Sequence, residues 1–187
     1  MPPCAPRRRD FLLLPLAAAW ATGLRAQGTG AALPAELAGE LPAARLQGSA
    51  TMRWFGLHIY DVALWSPKPV TAEDLADPLA LTLRYARSLK GRAIAERSIE
   101  EMRRIGPFSD AQATQWLEAM ARLFPDVGAA DRLTGLHRPG QGARFFFNGQ
   151  LRGDLADAQF SRLFFGIWLS SRTSEPSLRR QLLGLGS

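Results

Sequence analysis

This 187-residue chain reads as an α+β protein, one antiparallel sheet with helices packed on one of its faces. Three observations lead there. Apolar residues recur with a period of two in some stretches and of 3.6 in others. The two kinds come in blocks, strands, two helices, hairpin strands, two helices, rather than alternating singly as a doubly wound nucleotide fold would require. No internal repeat is present, and the length suits one domain with a real core.

From Ala44 to Trp65 the chain is rich in aromatic and β-branched residues and reads as extended, with Gly56 as the place for a turn or bulge. "LALTLRYARS", residues 79–88, sets Leu79, Leu81, Leu83 and Tyr85 against Thr82 and Arg84, the alternation of a half-buried strand. Between Arg92 and Ile105 the period lengthens. Ala95, Ile99, Met102 and Ile105 form one helical stripe, leaving Arg92, Glu96, Arg97, Glu100, Arg103 and Arg104 on the wet side. Ser109 and Gln112 make a capping box that opens a second helix, whose apolar face carries Trp116, Leu117, Met120, Leu123 and Phe124 and which Pro125 stops. Residues 131–153 return to strands, where Asn148-Gly149 between extended runs spells a two-residue hairpin turn. A third helix over 157–169 shows Phe160, Leu163, Phe164, Ile167 and Trp168 on one stripe, and a short fourth over 175–183 ends at Gly184.

Ahead of these elements, a basic run at Arg7–Arg9, an apolar run from Phe11 to Ala21 and a small residue at Ala26 predict a signal peptide over residues 1–26. Arg8-Arg9 followed by Asp10, Phe11 and Leu12 fits the twin-arginine export address, so the mature protein is expected in the periplasm or otherwise exported. The apolar run is about eleven residues and is interrupted by Pro15, short of the ~20 that span a bilayer, so no transmembrane helix is expected in the mature protein. Residues 27–40, rich in Gly, Ala and Pro, read as a linker to a domain over 41–187. Cys4, the single cysteine, leaves with the leader; a mature chain without cysteine has neither disulfide nor thiolate and is held by packing alone.

Composition is ordinarily globular, 47% hydrophobic and 21% charged. Loss of Arg7, Arg8, Arg9 and Arg25 together with Asp10 halves the formal charge of +6, and the remaining arginines are scattered, which argues against nucleic acid as a partner. Gly135, Gly140 and Gly142 have neither Walker nor dinucleotide spacing, and no G-x-S-x-G occurs. His58 and His137, the only histidines, lack clustered carboxylates and make a poor zinc site, so neither metal nor cofactor is expected. Glu96, Glu100 and Glu101 sit among Arg97, Arg103 and Arg104 at helical spacing and read as a solvated, ion-paired face.

The stretch with unexplained chemistry is "TMRWFGLHIYDVALW", residues 51–65, which places Arg53, His58, Tyr60 and Asp61 inside an apolar, aromatic run. A charge in a core strand needs a partner or a ligand. Arg53 either pairs with an acid such as Asp61 or reads a ligand's negative oxygen, and Tyr60 is either a core tyrosine bonded to backbone or a ligand group.

Taken together, "LQGSATMRWFGLHIYDVALW", "LTLRYARSLKGRAIAERSIEEM" and "FFFNGQLRGDLADAQFSRLFFGIWLSSRTSEPSLRRQLL" resemble the chalcone isomerase-like proteins of bacteria, the exported branch of that superfamily, over about residues 41–184. The resemblance implies an open-faced β-sandwich, a long antiparallel sheet covered by helices with the ligand in the cleft between them. Plant enzymes of the superfamily close a chalcone to a flavanone by intramolecular Michael addition, and plastid members bind fatty acids. In both, an arginine of the first strands recognises an anionic oxygen. The resemblance implies that role for Arg53, whose planar fork suits a carboxylate or phenolate, and sets Tyr60 at the tyrosine common in the second strand. In one unbroken strand positions 53 and 60 face opposite sides; a turn at Gly56 resets the register, and the turn is the expectation.

The catalytic tyrosine, lysine and asparagine of the plant enzymes, laid over "AERSIEEM", fall on Ala95, Ser98 and Met102, and no tyrosine-lysine pair occurs in 91–106. Without that phenol and ammonium, ring closure loses its electrostatic support, and Ser98 and Met102 give the cleft a greasier wall. The expectation is a non-catalytic protein of this fold binding an amphipathic, anionic, fatty-acid-like molecule through Arg53, Tyr60, Ser98 and Met102. Two alternatives stay open: an intramolecular lyase or isomerase acting on a chalcone or enone through Arg53 and Tyr60, and a periplasmic protein-interaction module.

Overall fold

The computed structural model describes residues 31–71 and 75–185, together with Met1. The expected leader, with its arginine pair and Cys4, and residues 27–30 of the expected linker lie outside the described residues. Ala31–Ser187 forms one compact unit with its own core.

Six antiparallel strands, β1 (Arg45–Trp54), β2 (Leu57–Ser66), β3 (Leu79–Tyr85), β4 (Arg132–Arg138), β5 (Gly142–Phe147) and β6 (Gln150–Leu155), lie side by side in chain order. Their period-two patterns give the sheet an apolar inner face that includes Ala50, Val62, Leu64, Leu81, Leu83, Tyr85, Leu133 and Phe145. Two hairpins close at the same end of the sheet. Asn148 and Gly149 both have positive φ, as the Asn-Gly signal predicts, and Phe55 and Gly56 take the same pair of signs between β1 and β2.

Helices α2 (Gly91–Ile105), α3 (Asp110–Leu123), α4 (Ala158–Leu169) and α5 (Pro176–Leu183) cover the inner face. The capping box is present: Ser109 Oγ accepts from the Gln112 N–H at 3.2 Å and the Gln112 side chain accepts from the Ser109 N–H at 2.9 Å. At α5, Gly184 in the left-handed region closes the helix. α4 packs on β4 and β5, α5 on β1 and β2, and α3 on β6, whereas α2 packs chiefly on α3 and α4. Because helix neighbours rather than strands support α2, it stands off β1–β3. That gap is the site.

The outer face holds a departure from the sequence reading. Residues 31–40 are more than a linker: a one-turn helix, α1 (Ala35–Ala38), lays Leu37 and, just beyond it, Leu41 and Ala44 on Trp65, Ala80, Leu136 and Phe146. Glu36, its side chain 1% exposed, pairs with Arg132 at 2.8 Å and accepts from Thr134 Oγ1 at 2.8 Å. Thr82 of β3, expected on a solvated face, is therefore buried, and its hydroxyl accepts from the Trp65 indole at 3.1 Å.

Candidate functional site

Between α2 and the inner face of β1–β3 lies a cavity of about 400 Å³, within the range of sites that enclose a small molecule. The sheet contributes Met52, Tyr60, Leu83 and Tyr85 to its wall, α4 contributes Phe164, Ile167 and Trp168, and the lining is overwhelmingly apolar. Polar groups enter mainly from one side. On α2, Ile94, Arg97, Ser98 and Glu101 fall at i, i+3, i+4 and i+7 and turn together toward the cavity.

Tyr60 anchors the polar end. Its hydroxyl accepts from Trp168 Nε1 at 3.1 Å, which leaves its own proton free to donate. Burial pushes its pKa up to about 12, the Trp168 hydrogen bond opposes this, Glu175 and Glu101 add to it, and Arg97 works against it. The phenol is therefore a neutral donor at physiological pH. Tyr85, edge-on to Tyr60 with ring centroids 5.9 Å apart, is raised still further, chiefly by burial.

Arg97 stands at the rim, half exposed, with its guanidinium 5.5 Å from the centre of the Trp54 ring and bonded to Glu100 at 3.1 Å and to Glu101. Glu101 differs from its neighbours: Glu96 and Glu100 are exposed and ion-paired as expected, but the Glu101 side chain is 6% exposed. Its Oε1 accepts from Arg97, while Oε2, 3.6 Å from Arg104 Nε, accepts no hydrogen bond among the described residues. Ser98 Oγ spends its proton on the Ile94 carbonyl at 2.8 Å and offers the cavity only lone pairs.

The four residues expected at the site part company here. Tyr60 and Ser98 line the cavity together; Met102 is fully buried behind it; Arg53 is exposed on the opposite face of the sheet and does not line it. The expected turn at Gly56 is present, and a regular two-residue hairpin would pair Met52 with Ile59 and put Arg53 and Tyr60 on one face. A bulge intervenes. β1 and β2 slip between Met52 and Arg53, so Met52 faces Tyr60 while Arg53 faces His58. One extra residue sends the whole of Arg53 to the other side. The ion pair of Arg53 with Asp61 is not formed either, since Asp61 accepts from Thr51 at 2.6 Å and engages His58 at 3.0 Å.

Sequence reasoning missed Arg97, Glu101 and Trp168. The stripe at 94, 97, 98 and 101 was legible as a second face of the helix, and a tryptophan in an apolar stripe implies a buried indole N–H in search of an acceptor.

A meander sheet carrying its helices on one face, with an apolar cavity between the two layers, is an open-faced α+β architecture. The chain belongs to the chalcone isomerase-like family, which it matches over residues 26–184. Among solved structures it is similar to a fatty-acid binding protein of Arabidopsis thaliana, with a TM-score of 0.61 and 13% identity over 75% of this chain and 87% of that one. No curated protein sequence matches it.

Proposed function

We propose that this protein, after export, holds a fatty-acid-like amphiphile in the cavity between α2 and the sheet and does no chemistry on it. The observation that carries the reading is an apolar wall with few polar groups in it: Tyr60 as a neutral hydroxyl donor and Arg97 as the cation of the lining among the described residues, beside Ser98, Glu101, Ser174 and Glu175. A carboxylate or similar oxygen bonds there and the tail lies along Leu83, Phe164 and Ile167. Ala95, Ser98 and Met102, where the plant enzymes carry tyrosine, lysine and asparagine, supply neither phenol nor ammonium, and Ala95 and Met102 are buried away from the cavity. The similarity to a fatty-acid binding protein points the same way.

Native mass spectrometry of the purified protein, with extraction of bound small molecules, tests it. A bound long-chain acid is the expected outcome, with Arg97→Ala weakening its binding by about 1.5–3 kcal/mol, the usual worth of a charge-assisted bond. Turnover of a chalcone or enone, abolished by Tyr60→Phe, would overturn the reading in favour of an intramolecular lyase.

A further inference from the structure

The tip of the β1–β2 hairpin carries apolar side chains where a turn has no use for them. Phe55 is 89% exposed, Leu57 51% and Trp54 47%. Phe55 also sits at φ 47°, a region that bulky residues avoid. The same sheet contains the ordinary solution: at the β5–β6 hairpin Asn148 holds the equivalent position at φ 48°, followed by Gly149, as Phe55 is followed by Gly56. An aromatic residue at a strained, solvent-facing turn, next to a fold that elsewhere uses asparagine there, marks a position kept for something other than stability.

Trp54 joins this tip to the cavity, because it lines the cavity wall while remaining half exposed beneath Arg97. The exposed Arg53 lies beside it on β1, and the exposed Arg87 lies just past the end of β3, where Ala86 bonds to Ile59. We propose that the β1–β2 tip inserts into the interface of an anionic lipid membrane, Phe55 and Leu57 entering the acyl boundary and Arg53 and Arg87 meeting the headgroups, so that the cavity mouth opens onto lipid. Its purpose rests on the amphiphile-binding reading above.

The alternatives fit worse. The three side chains present on the order of 400 Å² of apolar surface, about half of the ~800 Å² per partner that a specific protein interface buries. A narrow convex tip suits a fluid interface, where Trp and Phe settle at headgroup depth without needing a complementary shape. The flanking arginines supply the attraction to anionic lipid that so small an apolar tip lacks alone.

The experiment uses the chain from Gln27 onward, which keeps the whole described fold, as wild type and as Phe55→Asn. Co-sedimentation is measured with vesicles of phosphatidylglycerol and phosphatidylcholine and with vesicles of phosphatidylcholine alone. Binding of a fluorescent polyene fatty acid is measured separately without vesicles. The wild type is expected on the phosphatidylglycerol vesicles and much less on the others. Phe55→Asn is expected to lower that partitioning on the order of tenfold while melting no lower and binding the fatty acid in solution unchanged, since Asn-Gly is the better turn and Phe55 does not line the cavity. Equal sedimentation of both proteins, or of neither, overturns the proposal, and so does a dimer lost in Phe55→Asn without vesicle binding, which would make the tip a contact between copies. Vesicle binding that depends on Phe55, with no fatty acid bound by either protein, upholds the docking and removes the cavity reading instead.

Discussion

At the scale of single residues, hydrogen-bond accounting assigns more roles than charge does. His137 is 2% exposed, with Nε2 2.7 Å from the Leu75 carbonyl and Nδ1 2.6 Å from Ser161 Oγ. A carbonyl only accepts, so Nε2 carries the proton and Nδ1 accepts from the serine. Burial lowers the folded pKa, with the Leu75 bond pulling the other way. Unfolded chain takes up a proton near pH 6.5, whereas the folded form resists it, so the stabilisation is complete above that pH and is lost as pH falls toward the lowered value. Thermal melts should therefore decline from pH 7 to pH 5.5, and His137→Gln should flatten that slope while lowering the melting temperature at pH 7. The depressed carboxylates Asp126, Asp131 and Asp154, each held chiefly by a side-chain hydrogen bond, titrate at lower pH and leave this window clear. Nothing in the sequence around His137 singled it out, because its two partners come from 24 and 62 residues away.

At the scale of elements, legibility followed the range of the forces involved. The capping box at Ser109, the Asn148-Gly149 turn and the glycine stop at Gly184 were readable because each is settled within four residues. The bulge between β1 and β2 was not, since one extra residue in a strand leaves the composition untouched while reversing which side chains face in. Close packing of elements also hides in plain sight. A Cβ on Gly48 of β1 would lie 2.3 Å from the Gln181 carbonyl oxygen and 2.4 Å from that of Leu182, so only glycine lets α5 settle on the strand. Gly48→Ala should destabilise by roughly 1–3 kcal/mol, a fall of some 3–10 °C in melting temperature for a chain of this size. Backbone cannot step aside as a side chain can, and a small measured change would mean that α5 is free to shift.

At the scale of the whole molecule, the sheet is covered on both faces, and the thinner cover comes from the segment read as a linker. Starting the chain at Arg45 would remove Leu37, Leu41 and Ala44 and strip Arg132 of Glu36. Losing two buried leucines alone is worth ~3–6 kcal/mol, a large part of the 5–15 kcal/mol that holds a typical domain. The shortened protein should melt far below one begun at Gln27, or aggregate through Trp65, Leu136 and Phe146; equal melting curves would return residues 31–44 to the status of a linker. By itself the sequence determined the elements, their order and their class: periods of two and 3.6, caps and turns are local, and blocks of strands and helices leave few ways to cover one sheet. Tertiary structure alone decided the site. Which arginine meets the cavity depends on a one-residue slip between strands and on α2 resting on α3 and α4 instead of the sheet, and both are relations between segments distant in the chain that no local pattern records.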